Sequence, residues 1–317
     1  MTDAPPVIDF HSHFRPPWWR EIAPGDARTT GPFAALDDVD ALVAFTRDGG
    51  VEQRVLGAPT ELLFGPDADI ATEQIDRVNE YLAELVAAHR PLLGGLATVD
   101  AFAGAAGAEQ AVYAIERLGL SGIVVDSYRR GEYAGAAVTR PTFEVAAALG
   151  VPVFVHPVFA AGSDAVGAAA GQPGVSFGRG FTNGLALLSL LHGGTLAALP
   201  GLDVVFTALG TGALLFASDY IADNRRAVAV GTALPHRIHI DTLRLDVPTL
   251  RYQIDVLGPE RVLVGTDWPI RTDGTRTEIL EVLATAGLNA GDRALVASGN
   301  ARRLFAVRSA VGAGDGR

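Results

Sequence analysis

The chain has 317 residues, of which 49% are hydrophobic, and its 36 acidic and 25 basic side chains give a formal net charge of −11 at pH 7. It contains no cysteine and every basic residue is arginine, which excludes disulfides, thiolate chemistry, Schiff-base lysines and a carbamylated lysine between two metal ions. The negative charge and the absence of a basic run argue against nucleic acid and anionic lipid as partners.

The beginning of the chain, Met-Thr-Asp-Ala-Pro-Pro, lacks the charged and apolar regions of a signal peptide. No apolar stretch reaches the roughly 18 residues that a membrane span requires. We therefore expect a soluble, cytoplasmic protein that does not bind a membrane.

Short apolar runs recur along the chain, each followed by a segment with helical periodicity. The eight runs are Val7–Phe14, Arg54–Pro59, Leu92–Val99, Gly122–Ser127, Val151–Pro157, Asp203–Leu209, Arg237–Leu243 and Arg261–Asp267. Continuous Val, Ile and Leu are typical of parallel strands that are buried on both faces. Eight such strands alternating with helices predict an α/β fold, a (β/α)₈ TIM barrel, whose site lies at the carboxyl ends of the strands. The alternative is an open doubly wound sheet, but no G-x-G-x-x-G follows any strand.

The barrel is expected to be a single domain over residues 1–308, followed by a disordered tail over 309–317. Its connections include two long segments rich in Gly, Pro or Ala, over about 15–36 and 158–180. Loops of this length are usually lids or binding loops, and both follow strands on the side where the site is expected.

The strongest chemical signal is Asp9-Phe10-His11-Ser12-His13 in the first strand. Because side chains alternate along a strand, His11 and His13 should project to the same side, with Asp9 one step deeper. Two adjacent imidazoles in this position can share one metal ion.

Two further polar residues end predicted strands in the same way. His156 closes the fifth strand and Asp267 closes the eighth, which neighbours the first in a barrel. Three imidazoles and one carboxylate suit zinc or another divalent ion and leave room for a water or substrate oxygen.

In order along the chain, IDFHSH, VFVHP, the run from Ile240 to Pro269 that ends in VLVGTDWP, and SGNARRLF resemble the amidohydrolase superfamily. Within it the sequence is most similar to the branch of aminocarboxymuconate-semialdehyde decarboxylase and related aromatic-acid decarboxylases. The resemblance covers about Val7 to Phe305. It implies a distorted (β/α)₈ barrel, a homodimer, and one divalent metal, zinc or possibly manganese, on His11, His13, His156 and Asp267.

The activity that the resemblance implies is non-oxidative decarboxylation of a small aromatic or cyclic carboxylic acid, with Asp267 as the catalytic residue. Asp267 would handle the proton that replaces carbon dioxide. Hydrolysis of an amide, imide or lactone is the alternative, and a hydratase or lyase reaction and a catalytically silent barrel stay open.

These alternatives stay open because the sequence departs from the family after the sixth strand. The family usually carries a catalytic histidine there, and Leu209 stands at that position, while Tyr220 stands where a substrate-binding arginine is often found. His192-Gly193-Gly194 spells part of the missing motif, but it precedes the sixth strand and should end a helix on the far side of the barrel.

Residues that follow strand ends are candidates for contact with the substrate. Arginine there can grip a carboxylate in bidentate fashion, and tryptophan can wall an aromatic ring. The predicted substrate-binding residues are Arg15, Trp18, Arg129, Asp241 and Trp268.

Overall fold

The computed structural model describes residues 4–23, 30–159, 163–216, 237–243 and 246–311. Eight parallel strands form one sheet in chain order, and a separate two-stranded antiparallel hairpin follows the fourth strand. The strands are β1 Ile8–Ser12, β2 Gln53–Leu56, β3 Leu93–Thr98, β4 Gly122–Asp126, β5 Tyr128–Arg129, β6 Glu132–Tyr133, β7 Val153–His156, β8 Val204–Phe206, β9 Ile238–Asp241 and β10 Val262–Leu263.

Helices surround this sheet and follow its strands along the chain. The described α-helices are α1 Trp19–Ile22, α2 Val39–Asp48, α3 Thr60–Phe64, α4 Thr72–Ala88, α5 Ala105–Val112, α6 Arg140–Leu149, α7 Ser163–His192, α8 Thr195–Ala198, α9 Val247–Leu257, α10 Arg276–Thr285, α11 Ala290–Ala294 and α12 Asn300–Val311. In this described part of the chain, no helix is long and apolar enough to cross a lipid bilayer.

The sheet closes on itself where β1 meets the segment after β10. The Phe10 amide donates to the Val264 carbonyl at 2.8 Å, and the His13 amide donates to the Trp268 carbonyl at 2.8 Å. The predicted (β/α)₈ barrel is therefore confirmed, and its eight strands lie within or beside the predicted runs.

The core has an inner and an outer part, as expected when both faces of every strand are buried. Inside the barrel one apolar residue from each of several strands meets its neighbours, and the last helix closes the bottom where Phe305 stacks on Phe10. The larger outer cluster lies between the strands and the surrounding helices and includes the buried residues Val78, Leu82, Leu85 and Val86 of α4.

Strand β1 breaks the strict alternation on which the sequence argument relied. Its pairing with β2 is irregular between Asp9 and Ser12, and Phe10, not Asp9, lies in the inner cluster. Asp9 instead faces outward, where its carboxylate accepts hydrogen bonds from Arg54, Ser12 and Thr266. The predicted position of Asp9 beneath the two histidines was wrong, because the irregularity turns His11 and His13 inward after Phe10.

The segment predicted as a loop over 158–180 is helical from Ser163 onward, which corrects the expectation. Helix α7 runs to His192 with a break at Gly171, whose φ is +60°. A Cβ at Gly180 would meet the Leu209 carbonyl oxygen at 2.5 Å, so glycine allows α7 to pack directly against the turn at Leu209. The glycines that suggested a loop thus permit close helix packing.

The other predicted loop, over 15–36, contains α1 and a 3₁₀ turn over Gly31–Ala35. Between these two elements, residues 24–29 lie outside the described residues.

The hairpin after β4 was not predicted from the sequence. Tyr128 pairs with Tyr133 and Arg129 with Glu132, and the two loop residues Arg130 and Gly131 have φ of +50° and +88°. Two positive φ angles in a two-residue loop are typical of the tight turns that match strand twist.

The tail predicted over 309–317 is helical at its start. Helix α12 continues through Val311, and residues 312–317 lie outside the described residues.

Candidate metal centre

Four side chains meet at the carboxyl ends of the strands. His11 lies in β1, His13 directly follows β1, His156 ends β7, and Asp267 follows β10. One potential ligand atom from each of the four lies within 4.8 Å of the others. The structure therefore brings together the residues that were predicted as ligands from strands that are far apart in the sequence.

The ring nitrogens of the three histidines point at one another. The Nε2 atoms of His11 and His13 are 3.1 Å apart, and those of His13 and His156 are 3.2 Å apart. Asp267 completes the group, with its Oδ1 3.0 Å from His13 Nε2 and 3.5 Å from His11 Nε2. The three imidazoles are buried, whereas the Asp267 side chain is 21% exposed and so faces the opening.

The other ring nitrogens decide which atoms are free to bind a cation. His11 Nδ1 lies 2.6 Å from Asp241 Oδ2, and His13 Nδ1 lies 2.7 Å from the Gly57 carbonyl oxygen. Both oxygens are acceptors, so we assign the proton of each neutral ring to Nδ1, which leaves a lone pair on each Nε2. Lone pairs converging at about 3 Å repel unless a cation lies between them. The donor set of three imidazoles and one carboxylate fits one divalent metal ion.

The environment adjusts the basicity of two of the rings, those of His11 and His156. Burial lowers the pKa of His11, but the Asp241 carboxylate, with the charges of Asp267 and Asp9, outweighs burial and raises the pKa above its ordinary value. Burial, followed by the positive charges of His13, His11 and Arg179, holds the pKa of His156 well below its usual range. A carboxylate behind a metal-binding histidine orients the ring and strengthens it as a ligand, which is the position of Asp241.

Asp267 is held by an uncommon backbone conformation. Its φ is +62°, in the left-handed region, and its amide donates to the His11 carbonyl at 2.8 Å. Burial raises the pKa of Asp267, but the contact with His13 Nε2 and the electrostatic influence of His11, His13 and Arg179 together keep it below its ordinary value. Aspartate tolerates positive φ better than most residues, and such strain is often found where a side chain must be aimed.

A cavity of about 310 Å³ opens above the four side chains. Its volume suits a single substituted ring, and most of its walls are apolar. The apolar lining residues are Phe33, Leu62, Phe159, Val175, Leu209, Leu243 and Ile270. Among the described lining residues, the charged side chains besides Asp267 are Glu61, Arg179 and Arg271.

Sequence reasoning missed Arg179 and Glu61. Arg179 lies in the segment that was predicted as a loop, and Glu61 is in the short helix α3 after β2. In the structure Arg179 Nη1 is 3.4 Å from Glu61 Oε2, and Arg179 Nη2 donates to the Pro157 carbonyl at 2.6 Å. An arginine in a Gly- and Ala-rich stretch carries no local signal of function, so only the position of α7 reveals it.

The predicted substrate-binding residues have other partners in the structure, and none of them lines the described cavity. Arg15 is buried, donates to the Phe33 carbonyl and lies over the Trp19 ring. Trp18 is covered by the Arg77 guanidinium, 3.7 Å from the ring centroid, and Trp268 stacks on Phe45. These three residues pack against other side chains of the protein, and their contact with a substrate stays a prediction.

Arg129 and Asp241 are likewise placed behind the cavity. The Arg129 guanidinium is buried with Asp100 and Asp126 and donates to Thr60. Asp241 accepts from His11 and also from the Ala208 amide at 2.9 Å. Asp241 therefore lies behind His11, and its direct contact with a substrate stays a prediction.

Leu209 occupies the position after the sixth barrel strand where the family usually has a histidine, as the sequence suggested. Leu209 lies in a 3₁₀ turn over Ala208–Gly212 after β8, which is the sixth barrel strand, and lines the cavity. His192 ends α7 as predicted and is exposed. Tyr220, the residue at the expected arginine position, lies outside the described residues.

The chain forms a closed barrel of eight parallel strands with a cluster of histidines and an aspartate at the carboxyl ends of the strands. This arrangement is typical of metal-dependent barrel enzymes. The family model of the amidohydrolases matches residues 8–307. The chain therefore belongs to the amidohydrolase family.

Curated relatives fall in the predicted branch. One is the 2-amino-3-carboxymuconate-6-semialdehyde decarboxylase of Dictyostelium discoideum, 27% identical over 206 residues, which cover 61% of this chain and 55% of that protein. The match thus spans about half the length of that relative. Another is the gamma-resorcylate decarboxylase of Polaromonas sp. (strain JS666), 25% identical over 292 residues, with 85% of this chain and 88% of that protein covered.

A solved structure shares the fold at lower sequence identity. It is the 5-carboxyvanillate decarboxylase of Novosphingobium aromaticivorans complexed with manganese and 4-hydroxy-3-methoxy-5-nitrobenzoic acid. The TM-score is 0.79 at 18% identity, with 95% of this chain and 96% of that chain covered.

Proposed function

We propose that the chain is a metal-dependent decarboxylase of a small aromatic carboxylic acid. The observation that carries the proposal is the convergence of three imidazole lone pairs and the Asp267 carboxylate beneath a cavity of about 310 Å³ with apolar walls. The two curated relatives named above are both decarboxylases of unsaturated or aromatic acids, which supports the same reaction class.

The metal would be held by His11, His13, His156 and Asp267. Three imidazole ligands favour Zn²⁺, and the structural relative with bound manganese makes Mn²⁺ the second candidate. When bound, a divalent ion supplies Lewis acidity toward the substrate carboxylate or a neighbouring oxygen.

The protein's own residues account for the remaining steps. The apolar walls bind the ring and exclude water, and the cluster orients the carboxylate toward Asp267. In the reaction the bond between the ring carbon and the carboxyl carbon breaks, its electron pair stays on the ring carbon, and a proton takes the vacated position. We assign the relay of that proton to Asp267, whose partly exposed side chain lines the cavity. Because its pKa lies below the ordinary value, the carboxylate would first take the proton from solvent water, which leaves hydroxide, and then pass it to the ring carbon.

Leu209 argues against hydrolysis as the main activity. Hydrolysis requires a base that activates water, and an apolar side chain stands where the family usually places a histidine. Decarboxylation needs a proton donor and an oriented carboxylate but no attacking water, so it tolerates Leu209 better.

The proposal is tested with protein loaded separately with Zn²⁺ and Mn²⁺ and incubated in D₂O with a panel of hydroxybenzoates and methoxybenzoates. We expect carbon dioxide release and one deuterium at the vacated ring carbon, measured by NMR. Hydrolysis of lactones or amides without carbon dioxide release would instead support the hydrolase alternative. Turnover of neither class by the metal-loaded protein would point to a silent barrel and overturn the proposal.

A further inference from the structure

One face of α7 presents polar side chains to the cavity. Gln172, Ser176 and Arg179 all line it, and their spacing of four and three residues puts them on the same side of a helix. Gln172 is exposed, whereas Ser176 and Arg179 are partly buried, so the face runs from the opening toward the metal centre. The turn at Leu209 and the residues Leu243 and Ile270 supply apolar lining.

Arg179 stands at the inner end of this face. Its Nη2 donates to the carbonyl of Pro157, the residue that follows the ligand His156, at 2.6 Å. Its guanidinium carbon lies 4.7 Å from the centroid of the Phe159 ring, and its side chain is 21% exposed. The cation is therefore fixed beside the metal ligands and still open to the cavity.

The hydrogen bonds of Arg179 in the described part of the chain leave capacity for a ligand. A guanidinium has five N–H donors, and Arg179 uses one toward Pro157 and one toward Glu61. The contact to Glu61 Oε2 is 3.4 Å long, well beyond the roughly 2.8 Å of a strong charge-assisted bond. The other arginine of the described lining, Arg271, already binds Asp273 through two nitrogens.

We propose that Arg179 binds the carboxylate of the aromatic substrate beside the metal, and that Ser176, one turn outward, hydrogen-bonds an oxygen substituent on the ring. The inference rests on the proposed function and names the residues that select its substrate class. The substrate class is an aromatic acid with an oxygen substituent on the side of the ring that faces α7, because most of the other lining of the cavity is apolar.

Glu61 gives the proposal a second, opposite consequence. Its side chain is 5% exposed and lines the same cavity, so its negative charge competes with the substrate carboxylate for Arg179. Replacing Glu61 with glutamine keeps the shape and removes the charge. The affinity for an aromatic carboxylate should then rise, whereas loss of Arg179 should lower it.

Isothermal titration calorimetry of the Mn²⁺-loaded protein tests this with 2,6-dihydroxybenzoate and with resorcinol, which lacks the carboxylate. For R179M we expect the Kd of the acid to rise on the order of 10- to 100-fold with resorcinol binding unchanged, and for E61Q we expect it to fall. R271M, the same substitution at an arginine already paired with Asp273, is the matched control and should change neither Kd by more than about twofold.

S176A should weaken binding of 2,6-dihydroxybenzoate more than binding of benzoate, which has no ring oxygen. If R179M fails to fold because Glu61 has lost its contact with Arg179, the E61Q/R179M double variant removes both charges, and the expected change in Kd is the same as for R179M. Unchanged acid binding in R179M and E61Q/R179M, or equal weakening of acid and resorcinol in them, would overturn the inference while the proposed function stands. A wild type that binds no aromatic acid would overturn both.

Discussion

Histidine and aspartate side chains gather at both ends of the barrel, and strand β9 contributes to both groups. Near its amino end His239 Nε2 lies 2.9 Å from Asp203, which also accepts from Arg237 at 2.6 Å. Two residues later Asp241 accepts from His11 Nδ1 at 2.6 Å. Both pairs are imidazole–carboxylate contacts of similar length, yet only one belongs to a metal centre.

The two pairs differ at the ring nitrogen that does not contact the carboxylate. Behind His11 stands Asp241, and in front of it Nε2 converges with two other rings and Asp267 beneath a cavity. His239 directs Nε2 at Asp203, and its other nitrogen, Nδ1, is buried with no hydrogen-bond partner in the described part of the chain. Among the described residues, His239 belongs to no group of three or more potential ligands. An imidazole–carboxylate pair therefore indicates a ligand site only when the second ring nitrogen remains directed at open, shared space.

The largest expected effect comes from removing the shared carboxylate. D267N should lower the decarboxylation rate by roughly 10²- to 10⁴-fold and weaken metal binding, because the amide can neither deliver a proton nor carry the ligand charge. Rates on the best substrate of the panel, together with metal content by mass spectrometry, measure both losses. D203N, the matched change at the amino end, should leave both quantities within about twofold. Wild-type rates in D267N would break the distinction between the two ends.

The carboxylate behind the cluster should matter next. D241N keeps the shape but loses the charge that orients His11, and we expect metal affinity to fall about 10- to 100-fold. Competition with a fluorescent chelator gives the affinity, and D203N again serves as the control. Equal affinities for D241N and wild type would mean that the contact to His11 is only structural.

The next prediction concerns Asp126, a buried carboxyl group at the end of β4 that lies outside the metal-binding cluster. Burial raises the pKa of Asp126 to about 7 from 3.8, although the Thr60 hydroxyl and Arg129 partly offset it. The folded state therefore keeps a proton that the unfolded chain loses, so this contribution to stability is present at low pH and is lost as pH rises through about 7.

D126N removes this titration, because asparagine stays neutral and retains an oxygen for Thr60. In urea unfolding, the stability of the variant relative to wild type should increase by about 2 kcal/mol from pH 5.5 to pH 8, because wild type loses about 1.4 kcal/mol per pH unit between pH 5.5 and about 7. A gain at pH 5.5 that matches the gain at pH 8 would show that Asp126 does not take up a proton on folding.

The smallest effect is expected at the amino end. H239Q can still donate to Asp203, so unfolding free energy should fall by about 1 kcal/mol or less, with metal content and rate unchanged. Chemical denaturation and metal analysis of the same preparation check both statements. Loss of metal in H239Q would remove the contrast between the two ends.

Much of the molecule could be predicted from local patterns. The eight strands were recognised because buried parallel strands are continuous apolar runs. Local patterns failed where packing overrides them. The irregularity in β1 turned Asp9 outward, and the glycines of α7 allow close packing instead of a loop.

The sequence by itself determined the barrel and the candidate ligands, because strand periodicity and the ends of apolar runs are written residue by residue. It could not determine the cavity. Asp241 behind His11, and Glu61 beside Arg179, are contacts between residues 230 and 118 positions apart. Such contacts depend on how helices pack on a closed barrel, and only the tertiary structure decided which charged side chains face the site and which lie behind it.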